Sequence, residues 1–347
     1  MDDRSNRQWR LRRRPVGMVK ESDFELVEEP VTALAEGQAR VRNLMVAFEP
    51  AMRGWINEGE SYLPPVGIGE VMRASAVGQV VESATPELEV GEIVTGMFGW
   101  QEYTLLDMRQ PGMLGGANKL PPGATPEQAL SVFGITGLTA YFGLLEIGQP
   151  KEGDVVLVSG AAGATGSVVA QIARIKGASK VVGIAGGPRK CRWLTETLGL
   201  DAAIDYKSEE VGRRIKEECP EGVDVFFDNV GGEILDSALV NMAQRGRIVL
   251  CGGISRYNEA EPSPGPRNYL ELTVRRCRME GFIVIDYFSR IPEAAADLAK
   301  WISEGKIVVE TDVQEGIENV PRTFLRLFSG ENLGKQLCRL AEASPAS

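Results

Sequence analysis

The stretch Val155-Val-Leu-Val-Ser-Gly160-Ala-Ala-Gly163-Ala-Thr-Gly166-Ser-Val-Val169 decides how this chain is read. A fully apolar run of strand length enters a glycine turn, and Ser167–Lys176 then follows helical periodicity. Glycine lets the backbone bend sharply and come close to a pyrophosphate. The N–H groups and dipole of the helix start then favour the negative charge. Tight turns use glycine for other reasons too. The order strand, turn, helix, second strand is what singles out dinucleotide binding.

Working outward, Val181–Ala185 reads as the next strand and Pro188–Leu198 as a helix opened by proline. Ala202–Tyr206 is a strand, Glu209–Glu218 a polar helix, Val223–Phe227 a strand and Ile234–Met242 a helix. Strands at Arg247–Cys251 and Phe282–Ile285 and a helix over Pro292–Glu304 complete the series. Apolar strands separated by helices predict a parallel sheet covered on both faces, the doubly wound arrangement. Upstream the pattern is β-rich, with Ala39–Ala47, Ala76–Ser83 and Glu92–Phe98 bounded by turns such as Pro64-Pro65 and Pro121-Pro122-Gly123. The tail from Lys306 to Leu340 returns to strand-like stretches, Ile307–Val309 and Gln336–Arg339, suited to completing the first sheet. The expected organisation is an α/β chain of two domains: 1–130 with 306–347, and 131–305.

Bulk composition excludes several classes. At 347 residues, 43% hydrophobic and 25% charged, this is globular composition, and no apolar run approaches the ~20 residues of a membrane helix. A net charge of −10 argues against general affinity for nucleic acid or anionic membrane. Six arginines (4, 7, 10, 12, 13 and 14) crowd the start, but Asp2, Asp3 and Pro15 interrupt them; we read a solvated lead-in to a first strand rather than a transit peptide. With no signal-peptide pattern, a cytoplasmic location is expected. The five cysteines are widely spaced and are expected as reduced thiols. Histidine is absent, which removes the usual proton shuttle and the commonest zinc ligand.

Position and charge select the nucleotide. An NAD site usually carries an acidic residue at the end of the second strand. Here Val181-Val-Gly-Ile-Ala-Gly-Gly-Pro-Arg-Lys190 offers Arg189 and Lys190 with no carboxylate before them, which favours a 2′-phosphate and NADP(H). Solvent-facing cations are the alternative, although cations at a helix start oppose its dipole. Tyr206, after the third strand, adds a hydroxyl. Asp228-Asn-Val-Gly231-Gly232 and Cys251-Gly-Gly-Ile-Ser-Arg-Tyr257 follow later strands, where ligands bind in open parallel sheets; ordinary turn chemistry explains them as well.

Alcohol oxidation by zinc lacks its ligands, and none of the seven tyrosines has a lysine four residues later. Conjugate reduction of an enone asks less: hydride reaches the β-carbon, and one or two donors stabilise charge on the carbonyl oxygen. Tyr257 is the candidate donor; the competing reading is a surface tyrosine beside the Pro-rich segment Glu261-Pro-Ser-Pro-Gly-Pro266.

At this point the chain resembles the zinc-free, NADP-dependent alkenal/one oxidoreductases of the medium-chain dehydrogenase/reductase superfamily. The likeness rests on Asn6-Arg-Gln-Trp9, Met52-Arg-Gly-Trp55, Gly69-Glu-Val-Met-Arg73, Gly99-Trp-Gln-Glu-Tyr103, Phe227-Asp-Asn-Val-Gly-Gly232, Arg278-Met-Glu-Gly-Phe282 and Gly330-Glu-Asn-Leu-Gly-Lys335. It implies a GroES-like domain enclosing a Rossmann domain, a homodimer, and enone or enal substrates. It also implies NADPH contacts from Gly163, Ala164, Thr165, Gly166, Lys190, Tyr206 and Asn229. Further contacts would come from Cys251, Gly252, Gly253, Ile254, Ser255, Arg256 and Tyr257, then Phe282, Ile283, Val284 and Asn332. By the same likeness Tyr257 lies at the enone oxygen, and Tyr62 is the substrate-side tyrosine. Plant members carry a tyrosine where this chain has Ala51. Quinone reduction on the same scaffold, or nucleotide binding without turnover, are the alternative functions.

Overall fold

The computed structural model describes residues 4–109, 116–121, 123–261 and 264–344. Asp2, Asp3, Pro122 of the predicted turn and Pro262-Ser263 of the Pro-rich segment lie outside them. The chain forms two compact units, 1–130 with 311–347, and 131–310.

In the first unit, β1 (Ser5–Leu11) and β2 (Phe24–Pro30) form an antiparallel pair. The arginine-rich start is therefore a strand in its own right and not a lead-in. Arg7 pairs with Glu102 and Glu318, Arg10 with Glu29 and Arg13 with Asp23, so carboxylates across the unit, rather than water alone, satisfy these cations. The main sheet of this unit uses β3 (Gln38–Ala47), β4 (Ala76–Ser83), β5 (Ile93–Gly96), β6 (Tyr103–Asp107) and β7 (Asn118–Lys119).

The second unit contains β8 (Val155–Ser159), β9 (Lys180–Ala185), β10 (Ala202–Asp205), β11 (Val223–Asp228), β12 (Met242–Leu250) and β13 (Arg278–Gly281). All pair in parallel, in the order β10-β9-β8-β11-β12-β13. One face of these strands (Leu157, Ile184, Ile204, Phe226, Ile248) packs on Ile215, Leu235 and Leu239 of the helices Val211–Glu218 and Gly232–Leu239. Their other residues, Val156, Val158, Val225, Phe227 and Val249, are equally buried. Two covered faces explain why these strands read as continuous apolar runs. The chain returns through β14 (Thr311–Glu315) and β15 (Lys335–Arg339), and the first unit's sheet runs β14-β15-β3-β4-β5-β7, with β6 on β3. No helix among the described residues is long and apolar enough to cross a membrane.

Two strand expectations are corrected. Phe282–Ile285 is not a strand: the ladder ends at Leu250↔Gly281, because β12 stops at Leu250 and gives later residues no partner. The chain turns instead into a 3₁₀ helix over Val284–Arg290. Ile307–Val309 also stays outside the sheet. The Gln171 side-chain amide serves Val308, accepting its N–H at 2.7 Å and donating to its C=O at 3.0 Å, which does the work of a neighbouring strand. The helix expected over Ile234–Met242 ends at Leu239, since Met242 pairs with Val223 as the start of β12.

Candidate functional site

The sheet order defines where a ligand can sit. From β8 the chain proceeds outward through β9 and β10, then crosses back to β11 on the other side of β8. Beyond the carboxyl ends of β8 and β11 the loops therefore diverge and leave a crevice. The glycine turn lies at this point. Gly160 has φ +58°, a conformation that L side chains adopt rarely. Gly163 caps the twelve-residue helix Ala164–Ile175, and no side chain caps its first amides. A Cβ at Gly166 would stand 2.4 Å from the Gly160 carbonyl oxygen and 2.9 Å from Ala161 Cα, so only glycine lets the helix start press on the turn. Gly163, Ala164 and Thr165 are half-buried at its rim, and Gly166 is buried beneath. An uncapped helix N-terminus in a side-chain-free cradle fits a pyrophosphate.

The wall facing this turn is held by residues whose role the sequence did not announce. The Asp228 carboxylate is fully buried and accepts from Ser159 Oγ at 2.7 Å and from the Val230 and Gly231 amides at 3.0 Å. Burial raises its pKa, and these donors act against that rise without cancelling it. Ser159 Oγ in turn accepts the Asn229 amide at 2.8 Å, while Asn229 Nδ2 donates to the Ser159 carbonyl at 2.7 Å. The Asp228 carbonyl takes the amides of Cys251 and Gly252. Ser159 and Asp228 thus fix both the Asn229 loop and the Cys251–Tyr257 loop. No periodicity marks such a role; only the spatial neighbourhood of β8 and β11 reveals it.

The second loop folds on itself. Ile254 N donates to the Asn229 carbonyl, Ser255 N and Oγ to the Val230 carbonyl, and Arg256 N to the Gly253 carbonyl. The Gly253 amide donates to the Tyr257 hydroxyl oxygen at 3.1 Å, and a Cβ at Gly252 would stand 3.0 Å from that oxygen. The phenol head is thereby seated against the two glycines. Desolvation pushes the Cys251 thiol up to about 12, with the charge of Asp228 adding to the effect. Asn229 and Cys251–Tyr257 are brought together with the glycine turn.

Lys190 is half-buried in the short helix Pro188–Arg192, Arg189 is exposed, and Tyr206 is exposed just past β10. Tyr206 lies against the Gly186-Gly187 turn, where a Cβ at Gly186 would stand 2.9 Å from its hydroxyl, and the helix bearing Arg189 and Lys190 starts directly after that turn. The nearby Asp205 carboxylate is buried and accepts from Gly187 N at 2.7 Å, Lys207 N at 3.0 Å and Ser208 Oγ at 3.0 Å. Burial works to raise its pKa, but these donors and the Lys207 charge outweigh it and hold the carboxyl below its ordinary value. Phe282 sits against Gly143, where a Cβ would stand 2.4 Å from its ring, and Ile283 and Val284 follow, Val284 buried.

Tyr62 and Asn332 belong to the other unit. Tyr62 is 44% exposed, and its hydroxyl oxygen accepts from Trp55 Nε1 at 2.8 Å. Asn332 is buried, its amide donating to the Gly334 carbonyl at 2.9 Å. Among the described residues, no three His, Cys, Asp or Glu side chains are grouped as a metal-ligand set.

This is the crevice of a two-domain, dinucleotide-dependent dehydrogenase or reductase. Residues 7–113 match the family described as the N-terminal domain of oxidoreductase, and residues 164–301 the one described as zinc-binding dehydrogenase. The chain is 40% identical to the NADPH-dependent curcumin reductase of Escherichia coli, covering 97% of each protein. It is 38% identical to the NADP(+)-dependent 2-alkenal reductase of Nicotiana tabacum, over 96% of this chain and 97% of that one. The crystal structure of CurA from Vibrio vulnificus in complex with NADPH superimposes with a TM-score of 0.91 at 39% identity, covering 97% of this chain and 99% of that one. The chain belongs to the alkenal/one reductase family of the medium-chain dehydrogenases/reductases.

Proposed function

We propose that this protein uses NADPH to reduce the carbon–carbon double bond of α,β-unsaturated ketones and aldehydes. One observation carries the reading: the second-strand turn offers a 2′-phosphate cations and a phenol, and it does so in a chain of the alkenal/one reductase family. The unit 131–310 bears the nucleotide and the unit 1–130 with 311–347 the substrate side. When bound, the nicotinamide nucleotide supplies the hydride.

The amides of Ala164, Thr165 and Gly166 take the pyrophosphate over Gly163, whose own N–H is held by the Gly160 carbonyl, and Lys190 and Tyr206 take the 2′-phosphate. Asn229, the Cys251–Tyr257 loop, Phe282–Val284 and Asn332 are the remaining contacts. Tyr257 is the donor to the substrate carbonyl oxygen. Because its own oxygen accepts the Gly253 N–H, its O–H is polarised into a stronger donor for an oxygen gaining charge. Tyr62 lines the enone on the substrate side. A homodimer is part of the same reading: β13 pairs only with β12 among the described residues, and Tyr269, Leu270 and Val274 are exposed nearby. A cytoplasmic location is part of the same reading, with five cysteines spaced too widely for a redox or zinc motif.

The test is NADPH oxidation with a 2-alkenal or a curcuminoid as acceptor, followed with deuterium-labelled NADPH. Label is expected at the β-carbon of the saturated product. Label at the carbonyl carbon would overturn the assigned reaction.

A further inference from the structure

We infer that Lys207 is a second reader of the 2′-phosphate, acting beside Lys190 to set the preference for NADPH over NADH. The inference rests on the NADPH reading above. It starts from the turn after β9. A Cβ built on Gly186 would stand 2.9 Å from the Tyr206 hydroxyl and also 3.0 Å from Lys207 Cε. The absent side chain at 186 thus leaves room over which both the phenol and the lysine stem are drawn. Lys190 stands three residues past this turn, in the helix that Gly187 caps.

The direction of Lys207 is fixed from its backbone. Its N–H donates to Asp205 Oδ1 at 3.0 Å, the oxygen that also accepts the Gly187 amide at 2.7 Å. One buried carboxylate therefore joins the ends of β9 and β10 and sends residue 207 back across the glycine pair. Asp205 is occupied by three donors, and its nearest influence on Lys207 is through charge; Lys207 itself is exposed and forms no ion pair among the described residues. The one carboxylate that acts on this lysine, Asp205, is already hydrogen-bonded to Gly187 N, Lys207 N and Ser208 Oγ, which leaves the ammonium over the side-chain-free turn open to a further anion. A phosphate monoester on the adenosine ribose, which carries close to two charges near neutrality, is the ligand chemistry that suits two lysines and a phenol.

The experiment uses the whole protein and measures binding, not turnover. Dissociation constants for NADP+, NAD+, 2′,5′-ADP and 5′-AMP are obtained by calorimetry for wild type, Lys207→Ala, Lys207→Arg and Lys190→Ala. Lys207→Ala is expected to weaken NADP+ and 2′,5′-ADP on the order of tenfold, the scale of one charge-assisted contact, while NAD+ and 5′-AMP change less than about twofold. Lys207→Arg should restore most of the loss. Gly186→Ala, which displaces both side chains, should reproduce the selective defect.

If Lys207→Ala weakens NAD+ as much as NADP+, or weakens neither, the inference fails. A selective defect in Lys190→Ala alone would leave the NADPH reading standing and remove Lys207 from it. A wild-type protein that binds NAD+ as well as NADP+ would remove both.

Discussion

Gly166 offers the sharpest test of how the cofactor cradle is built. Alanine there would set its Cβ 2.4 Å from the Gly160 carbonyl oxygen, 2.9 Å from Ala161 Cα and 2.9 Å from the Gly160 carbonyl carbon. All three are backbone atoms, so no side chain can swing aside. A relaxed carbon–oxygen contact needs about 3.3 Å, so the helix start must withdraw by roughly 0.9 Å. Overpacking of this kind costs about 1–3 kcal/mol, against a gain of about 1 kcal/mol from replacing glycine in a helix. The net is a loss of up to about 2 kcal/mol, a fall in Tm of several degrees. The same withdrawal carries the first-turn amides off the pyrophosphate, and losing one charge-assisted bond weakens NADPH binding by about tenfold or more. Gly163→Ala is the control, since its Cβ would meet only the Gly160 oxygen at 3.2 Å and its φ of −89° suits any residue. Its Tm should stay near wild type. Thermal unfolding of the apo protein and NADPH fluorescence titration read the two quantities separately. A Gly166→Ala protein with wild-type or higher Tm and unchanged NADPH affinity would refute the argument that close packing positions these amides.

Two further outcomes follow from the site and the core. Tyr257→Phe should lower kcat with an enone acceptor by about a hundred- to a thousandfold, the range for loss of one donor to a developing oxyanion, while the protein stays folded; an unaltered kcat removes Tyr257 from the reaction. In the first unit, Lys335 Nζ donates to Glu49 Oε1 at 2.6 Å and both side chains are buried. Lys335→Met leaves that carboxylate alone and should cost about 3–5 kcal/mol in urea unfolding, whereas the added Glu49→Gln change should recover part of it.

Much of the doubly wound unit was legible because its strands are buried on both faces. The apolar run entering the glycine turn is the strand Val155–Ser159, and in the first unit Ala76–Ser83 was readable to the residue. Phe282–Ile285 and Ile307–Val309 are as apolar as true strands but have no strand beside them, and pairing partners are not written in local periodicity. The glycine turn was legible because glycine spacing is itself the steric requirement. The Ser159–Asp228 clamp was not: it joins residues 69 positions apart, and each alone looks like ordinary strand-end polarity. The arginines at the start misled because strand β1 carries its charges toward carboxylates that only the fold supplies.

The Asp228 peptide has a practical consequence for anyone who would redesign this enzyme. Its carboxylate fixes the Val230–Gly231 turn while its carbonyl fixes Cys251 and Gly252. The two loops are therefore not separable modules: a graft of residues 251–257 from a relative inherits its geometry from a residue more than twenty positions upstream. Swaps intended to alter specificity must travel with the β11 terminus, or the transplanted loop will be anchored to the wrong hinge.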